Sequence, residues 1–394
     1  MQYALLRRGL TAAIALLTLA VGIGGPPASA AEEPGVAAPH LPRPTGPRAV
    51  GSTSLHLTDA SRADPWVPEA GARELMVSLW YPTASPHGRR AQYMTPTESE
   101  LLLREGGITG VPPDVLSTTR THSTADARPA GPPRRLPLVV LSPGFGKPRA
   151  TLTSLAEDLA SHGYVVAAID HTYESVATTF PGGRVATCAA CEVGHDEAFW
   201  KRLVTGRAAD VSFVLDELTG EHARWDGARL VDPARIAMAG HSVGGASAVP
   251  SMATDPRVRA GMDIDGTTDV PVPDSGLPRP FLFLGRQDQY TPGSGGGAVA
   301  TWERDWPHLT GWKRWLVVAG AEHASFTDVG LLAEQLGLDI GAELPAARAT
   351  EIVRSYTRAF LHQHLRHRAQ PLLDRPSEDY PQVRFCTLET GSCT

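Results

Sequence analysis

One serine sits in a setting that could make it a nucleophile. Gly240-His241-Ser242-Val243-Gly244 fits G-x-S-x-G, between a short apolar run, Arg235 to Ala239, and a small-residue stretch, Gly244 to Ala248. Strand, tight turn and helix start form the context in which this pattern carries catalysis. Glycines two before and two after the serine let backbones approach where a side chain would clash. The turn presents the hydroxyl at the mouth of a sheet, beside the free N–H groups of the next helix, where negative charge is favoured. The competing reading is a glycine-rich turn with a bystander serine, and the strand-turn-helix context speaks against it.

A hydroxyl attacks only when a base takes its proton. With the chain order Ser, acid, His, the base comes late. His323 follows the apolar run Trp315 to Ala319 and fits that place. His308 precedes the run, and His362, His364 and His367 belong to a terminal helical pattern whose solvated face accounts for them. The acid must accept the imidazole N–H and stabilise the imidazolium. Asp265, which ends the Gly261 to Ile264 run, and Asp288, in Gly285-Arg286-Gln287-Asp288, are both suitably placed, and spacing does not separate them. Asp263 would lie deeper in the strand. Acyl transfer also needs two N–H groups aimed at the developing oxyanion, each worth about 3 kcal/mol. Val243 supplies the one after the nucleophile. The second comes from the loop Ser142-Pro143-Gly144-Phe145-Gly146. Pro143 has no N–H, whereas Phe145 is flanked by glycines that let its amide turn inward.

The remaining reactive residues read as structural. Cys188 and Cys191 share a loop-like stretch, and Cys386 and Cys393 share the C-terminal tail. Two local disulfides are expected in an exported chain. Cys188-Ala-Ala-Cys191 lacks the strand-to-helix setting of a redox pair and a second ligand pair at zinc spacing. No H-e-x-x-H-like spacing appears, so no metal and no cofactor is expected. The formal charge of −6 speaks against a nucleic-acid partner.

These groups need elements to hold them. Arg7 and Arg8, the apolar run Leu10 to Ile23 and Ala28-Ser29-Ala30 read as a signal peptide cleaved after Ala30, hence a secreted protein of 364 residues. Residues 31–50, rich in Pro, Ala and Gly, read as a flexible leader. Gly51 to Leu57 and Glu74 to Tyr81 alternate like half-solvated strands. Continuous apolar runs at Pro137 to Leu141, Tyr164 to Ile169, Arg235 to Ala239, Gly261 to Ile264, Pro280 to Leu284 and Trp315 to Ala319 alternate with helical patterns, among them Leu152 to Leu159, Val204 to Leu218 and Ile352 to Leu365. That texture predicts an α/β fold: a mostly parallel sheet with helices on both faces, and a ligand site at the carboxyl ends of its strands. One domain over residues 51–370 with inserted loops is expected, followed by a tail over 371–394. Glu98 to Leu103 forms a short helix that either covers core or serves as a lid meeting lipid; core is the ordinary explanation.

The motifs together resemble the plasma-type platelet-activating-factor acetylhydrolases and their bacterial relatives, within the α/β-hydrolase superfamily. The similarity runs from about Gly51 to the terminal helix. It is carried by Leu141-Ser142-Pro143-Gly144-Phe145-Gly146, by Leu159-Ala160-Ser161-His162-Gly163-Tyr164-Val165-Val166-Ala167-Ala168, by the elbow, by Asp263-Ile264-Asp265-Gly266-Thr267, and by His323 with Ser325-Phe326-Thr327-Asp328. The resemblance implies a calcium-independent serine hydrolase whose acid is Asp265 and whose oxyanion donors are Phe145 and Val243. Animal members carry His where this chain has Pro143. The expected substrate is a small-molecule or lipid ester, with transient contact to a lipid surface as one form of delivery. A lipase, cutinase or polyester hydrolase would use the same machinery. A non-catalytic binding protein of this fold has no need to keep serine, acid and histidine together. Nothing in the pattern implies an oligomeric state.

Overall fold

The computed structural model describes residues 38–394. The signal peptide expected over residues 1–30 lies outside them. Within the described residues the strands are β1 (Ala49–Ala63), β2 (Ala72–Thr83), β3 (Thr124–Ala125), β4 (Leu136–Ser142), β5 (Val165–His171), β6 (Thr178–Thr179), β7 (Val185–Ala186), β8 (Val231–His241), β9 (Val258–Ile264), β10 (Phe281–Arg286), β11 (Lys313–Val318), β12 (Val383–Thr387) and β13 (Ser392–Cys393). The helices are α1 (Pro96–Glu105), α2 (Thr153–Ser161), α3 (Glu197–Thr219), α4 (Val243–Ala246), α5 (Ala248–Thr254), α6 (Gln287–Tyr290), α7 (Gly297–Asp305), α8 (Asp328–Gln335) and α9 (Ala346–Arg366).

The continuous apolar runs occupy the middle of an eleven-stranded sheet ordered β13-β12-β11-β10-β9-β8-β4-β5-β2-β1-β3. β5, β4, β8, β9, β10 and β11 run parallel. β4 and β5 are buried at every residue, as strands covered on both faces must be. β1 and β2 pair antiparallel and extend one edge, and the outer half of β1 alternates between buried and exposed residues. One hydrophobic layer packs α2 and α9 on one face, with Leu155, Leu159, Tyr356 and Phe360 inside it. The other packs α3, α5 and α7, with Val211, Leu215, Met252 and Trp302. This is the α/β-hydrolase architecture.

Two expectations change. Residues 38–48 are not loose: Leu41 is buried, the Arg354 guanidinium donates to the carbonyls of Pro42 and Arg43, and Asp158 accepts from both the amide and the hydroxyl of Thr45. Composition reports how readily a segment stays solvated, whereas here buried donors on α9 and an acceptor on α2 tie it down. The C-terminal residues also do more than trail. β12 pairs antiparallel with β11, and Cys386 and Cys393 face each other across the β12–β13 hairpin and are disulfide-bonded. Cys188 and Cys191 form the second disulfide. Leu102 and Leu103 of α1 are buried against Leu331 and Leu332 of α8, so these leucines cover core.

Candidate active site

The sheet turns its order at β4. From there the chain adds β5 on one side and later β8 on the other. The loops leaving neighbouring strands in opposite directions open a crevice at their carboxyl ends. Ser142 and Gly240, at the ends of β4 and β8, are register partners, so the loop 142–146 and the elbow at Ser242 meet there.

The elbow is strained. Ser242 has φ 57° and ψ −130°, a conformation rare for a residue with a side chain. Close packing enforces it: a Cβ on Gly244 would stand 2.1 Å from the Ser142 carbonyl oxygen, and one on Gly240 would stand 2.3 Å from the Gly244 carbonyl carbon. The loop after β4 therefore lies directly on the elbow. Val243, the first residue of α4, has no carbonyl one turn back to receive its N–H, and neither its amide nor that of Phe145 donates to a backbone carbonyl elsewhere.

His323 follows β11, and Asp265 follows β9. Their side chains meet with His323 Nδ1 2.5 Å from Asp265 Oδ2. Asp265 is itself held at φ 57°. Its Oδ1 accepts from the Arg286 amide at 2.7 Å, and Arg286 Nε lies 3.0 Å from Oδ2, off the hydrogen-bonding direction. The carboxylate is fully buried, while the His323 side chain is 43% exposed. Asp288 is exposed on α6, so of the two acids left open by spacing, Asp265 is the one on His323. Ser242, Val243, Asp265 and His323 line one cleft of about 490 Å³, together with Trp200, Asp269, Arg286, Gln289 and Tyr290. Burial raises the Asp269 carboxyl there to about 6, against the pull of Arg304. A separate polar cavity of about 380 Å³ beside β1 and β2 contains none of the reactive groups.

Three neighbours were not legible as site residues. His241 packs against His323, with ring centroids 4.4 Å apart and the rings tilted by 40°, and its Nε2–H donates to the His323 carbonyl at 2.9 Å. Burial, and then the nearby His323, hold His241 well below the usual imidazole range, so it is neutral. Trp200 is the second, one of a group in which His195, Phe199 and Trp200 surround Phe145 at centroid distances of 5.2, 5.7 and 5.4 Å. The Cys188–Cys191 loop supports this wall: the Ala190 carbonyl bonds the His195 ring, and Cys188 packs in one cluster with Val243 and Ala246. Asp263 is the third. It is fully buried, neither oxygen has a hydrogen-bond partner, and burial, with the neighbouring Asp265 charge, pushes its carboxyl well above the usual range.

His241, Asp265 and His323 each offer a ligand atom within 4.8 Å of the others. His323 Nδ1 is already on Asp265, and His241 Nε2 on the His323 carbonyl. A metal on those two nitrogens would break both bonds, whereas His241 Nδ1 has no hydrogen-bond partner. His362 and His364 stand away from the cleft, packed on Tyr164 and Trp312.

Sheet order and crevice define an α/β-hydrolase-fold enzyme, and comparison with known proteins gives its reaction class as carboxylic ester hydrolysis. The chain belongs to the family described as platelet-activating factor acetylhydrolase, isoform II, whose model matches residues 37–198 and 226–371. A probable 1-alkyl-2-acetylglycerophosphocholine esterase of Arthroderma benhamiae is 29% identical over 383 residues, covering 88% of this chain and 93% of that protein. The platelet-activating factor acetylhydrolase of Canis lupus familiaris is 25% identical over 264 residues, 59% of this chain and 57% of its own length. A solved ferulic acid esterase from Streptomyces cinnamoneus is 45% identical, with a TM-score of 0.78, covering 89% of this chain and all of that one. Among the described residues no helix is long and apolar enough to cross a membrane.

Proposed function

We propose that the protein cleaves carboxylic esters through an acyl-enzyme on Ser242, with His323 as base and Asp265 as its acid partner. The contact between His323 Nδ1 and Asp265 in the cleft that Ser242 lines carries this reading. With Nδ1–H on Asp265, Nε2 is the free lone pair that takes the serine proton as Oγ attacks the carbonyl carbon. Asp265 stabilises the imidazolium that results. The Val243 and Phe145 N–H groups receive the oxyanion. Collapse of the tetrahedral intermediate breaks the ester C–O bond, and the leaving alkoxide takes its proton from His323. Water repeats the sequence on the acyl-enzyme, losing a proton to His323, and the acid departs as Ser242 is reprotonated.

Turnover of p-nitrophenyl esters of graded acyl length, beside a 2-acetyl phospholipid and methyl ferulate, tests the reading and ranks substrates. Short acyl groups with cleavage of the phospholipid mark an acetylhydrolase. Rates rising with chain length or at an oil interface mark a lipase or polyester hydrolase. The aromatic surface of Trp200 in the cleft and the 45% identity to a ferulic acid esterase favour an aromatic acyl group as the second reading, for which methyl ferulate would lead the series. Normal turnover by Ser242→Ala would sink the mechanism. We further infer export: two disulfides suit an oxidising compartment, and N-terminal sequencing of protein from the medium should begin at Ala31.

A further inference from the structure

Beneath the loop that follows β4 lies a second set of ionisable groups that the reaction scheme leaves unused. Ser142 Oγ is 2.9 Å from His171 Nε2, and His171 Nδ1 is 2.8 Å from Asp210 Oδ2. Burial lowers the His171 pKa, assisted by the Arg207 charge. The ring is therefore neutral: Nδ1–H donates to Asp210, and Nε2 accepts the Ser142 hydroxyl proton. Arg207 adds to the same serine, its Nη1 donating to Ser142 Oγ at 3.2 Å and to the Pro143 carbonyl. Its Nε donates to Glu174 at 2.7 Å. Glu174 in turn accepts the Gly146 amide on its own carbonyl. Arg73 completes the charge pairing by bridging Asp64 and Asp210. Arg73, Ser142, His171, Glu174, Arg207 and Asp210 are each at most 1% exposed.

So many charges in a core give no general gain in stability over a well-packed apolar replacement. The loop above them has a definite need. Phe145 stands between Gly144 and Gly146, and Gly146 sits at φ 72°, so the loop has little stiffness of its own. An oxyanion donor works only if it is aimed before the charge develops. The network grips this loop at three points: the Ser142 hydroxyl, the Pro143 carbonyl and the Gly146 amide. We propose that Arg207, backed by Ser142, His171 and Asp210, is a positioning residue that fixes the peptide planes from Pro143 to Gly146, so that the Phe145 N–H faces the oxyanion. This rests on the reading of Phe145 as the second donor.

The test uses the mature protein and the variants Arg207→Lys and Ser142→Ala. Ser142→Ala removes no charge, so it serves should Arg207→Lys fold poorly. Active sites are counted by fluorophosphonate labelling of Ser242, and turnover is expressed per labelled site. In Arg207→Lys, kcat per site should fall about 10- to 100-fold, short of the about 10²- to 10³-fold for outright loss of a donor. Ser142→Ala should lose several-fold less. KM should stay within about twofold, and the inhibition constant of a trifluoromethyl ketone carrying the same acyl group should rise in step with the loss in kcat/KM. Wild-type kcat per labelled site in both variants, with only the labelled fraction or Tm reduced, would assign the network to stability alone and overturn the proposal. Failure of wild-type Ser242 to label would instead sink the acyl-enzyme reading, and this inference with it.

Discussion

Among the described residues, Ser, His and Asp come together both in the cleft and beneath the loop that follows β4. In the cleft, Ser242, His323 and Asp265 share one wall, with the His323 side chain 43% exposed. Under the loop, Ser142, His171 and Asp210 form a hydrogen-bonded chain of the same three residue types, none more than 1% exposed. The residue types are identical, so they do not by themselves make a catalyst. Ser242 stands on a strained turn with φ 57°, beside an opening and two uncommitted amides. Ser142 is the last residue of a fully buried strand, its oxygen already taken by Arg207, with no path for a carbonyl to reach it. On the proposed reading, access and surrounding donors are what separate the nucleophile Ser242 from the strut Ser142.

Five substitutions sharpen or break this contrast. Ser242→Ala should lower kcat by about 10⁴-fold or more, measured with a short p-nitrophenyl ester, while Ser142→Ala should cost only about tenfold or less; comparable losses would erase the distinction. Asp265→Asn should cost about 10⁴-fold in kcat through the wrong imidazole tautomer. Asp263→Asn, at a carboxyl that burial pushes well above its usual range, should stay within about tenfold, and a reversed order would move the working acid. Asp210→Asn should act on folding. Burial alone would raise this carboxyl, yet Arg73 and His171 hold it below its ordinary range, so removing its charge leaves Arg73 underpaired in the core. A loss of about 3–5 kcal/mol is expected in denaturant titration, and unchanged stability would argue that the cluster is not paired as described.

The smallest effect concerns an acid outside both sets. Burial raises Asp328 from 3.8 to about 7, against its hydrogen bond from Ser154. Between those values the folded chain keeps a proton that the unfolded chain releases. The stability this provides is complete below about pH 4 and is lost as pH rises through about 7. Thermal melting at about pH 5 and about pH 8 should show a smaller drop for Asp328→Asn than for wild type; equal drops would mean that the acid ionises freely in the fold.

What the sequence disclosed follows from how local each signal is. The elbow was legible because strand, glycines and serine are contiguous, and the parallel strands because continuous apolar runs have few other uses. Spacing left Asp265 and Asp288 equivalent, because both follow short strands, and only the family resemblance pointed to Asp265, the one that faces His323 in the fold. His241 and Arg286 lay inside quoted segments, yet their contacts to His323 and Asp265 depend on rotamers. The buried chain was hidden more deeply: Asp64, Arg73, Ser142, His171, Glu174, Arg207 and Asp210 come from distant segments, and each alone reads as an ordinary polar residue. β12 was missed because five residues carry little periodicity. The binding of residues 38–48 was missed because donors on α9, over three hundred residues away, decide it.

The C-terminal hairpin bears on how the enzyme lasts once made. β11 closes the parallel run, and without β12 its outer backbone groups would stand ready to pair with any extended chain nearby. β12 covers Leu316 to Val318, and the new rim it creates ends in the two-residue β13, tied back by Cys386–Cys393. A rim that short and that tightly stapled offers little template for aggregation. Opening this one bond should therefore leave turnover almost untouched while shortening the time a concentrated solution stays clear.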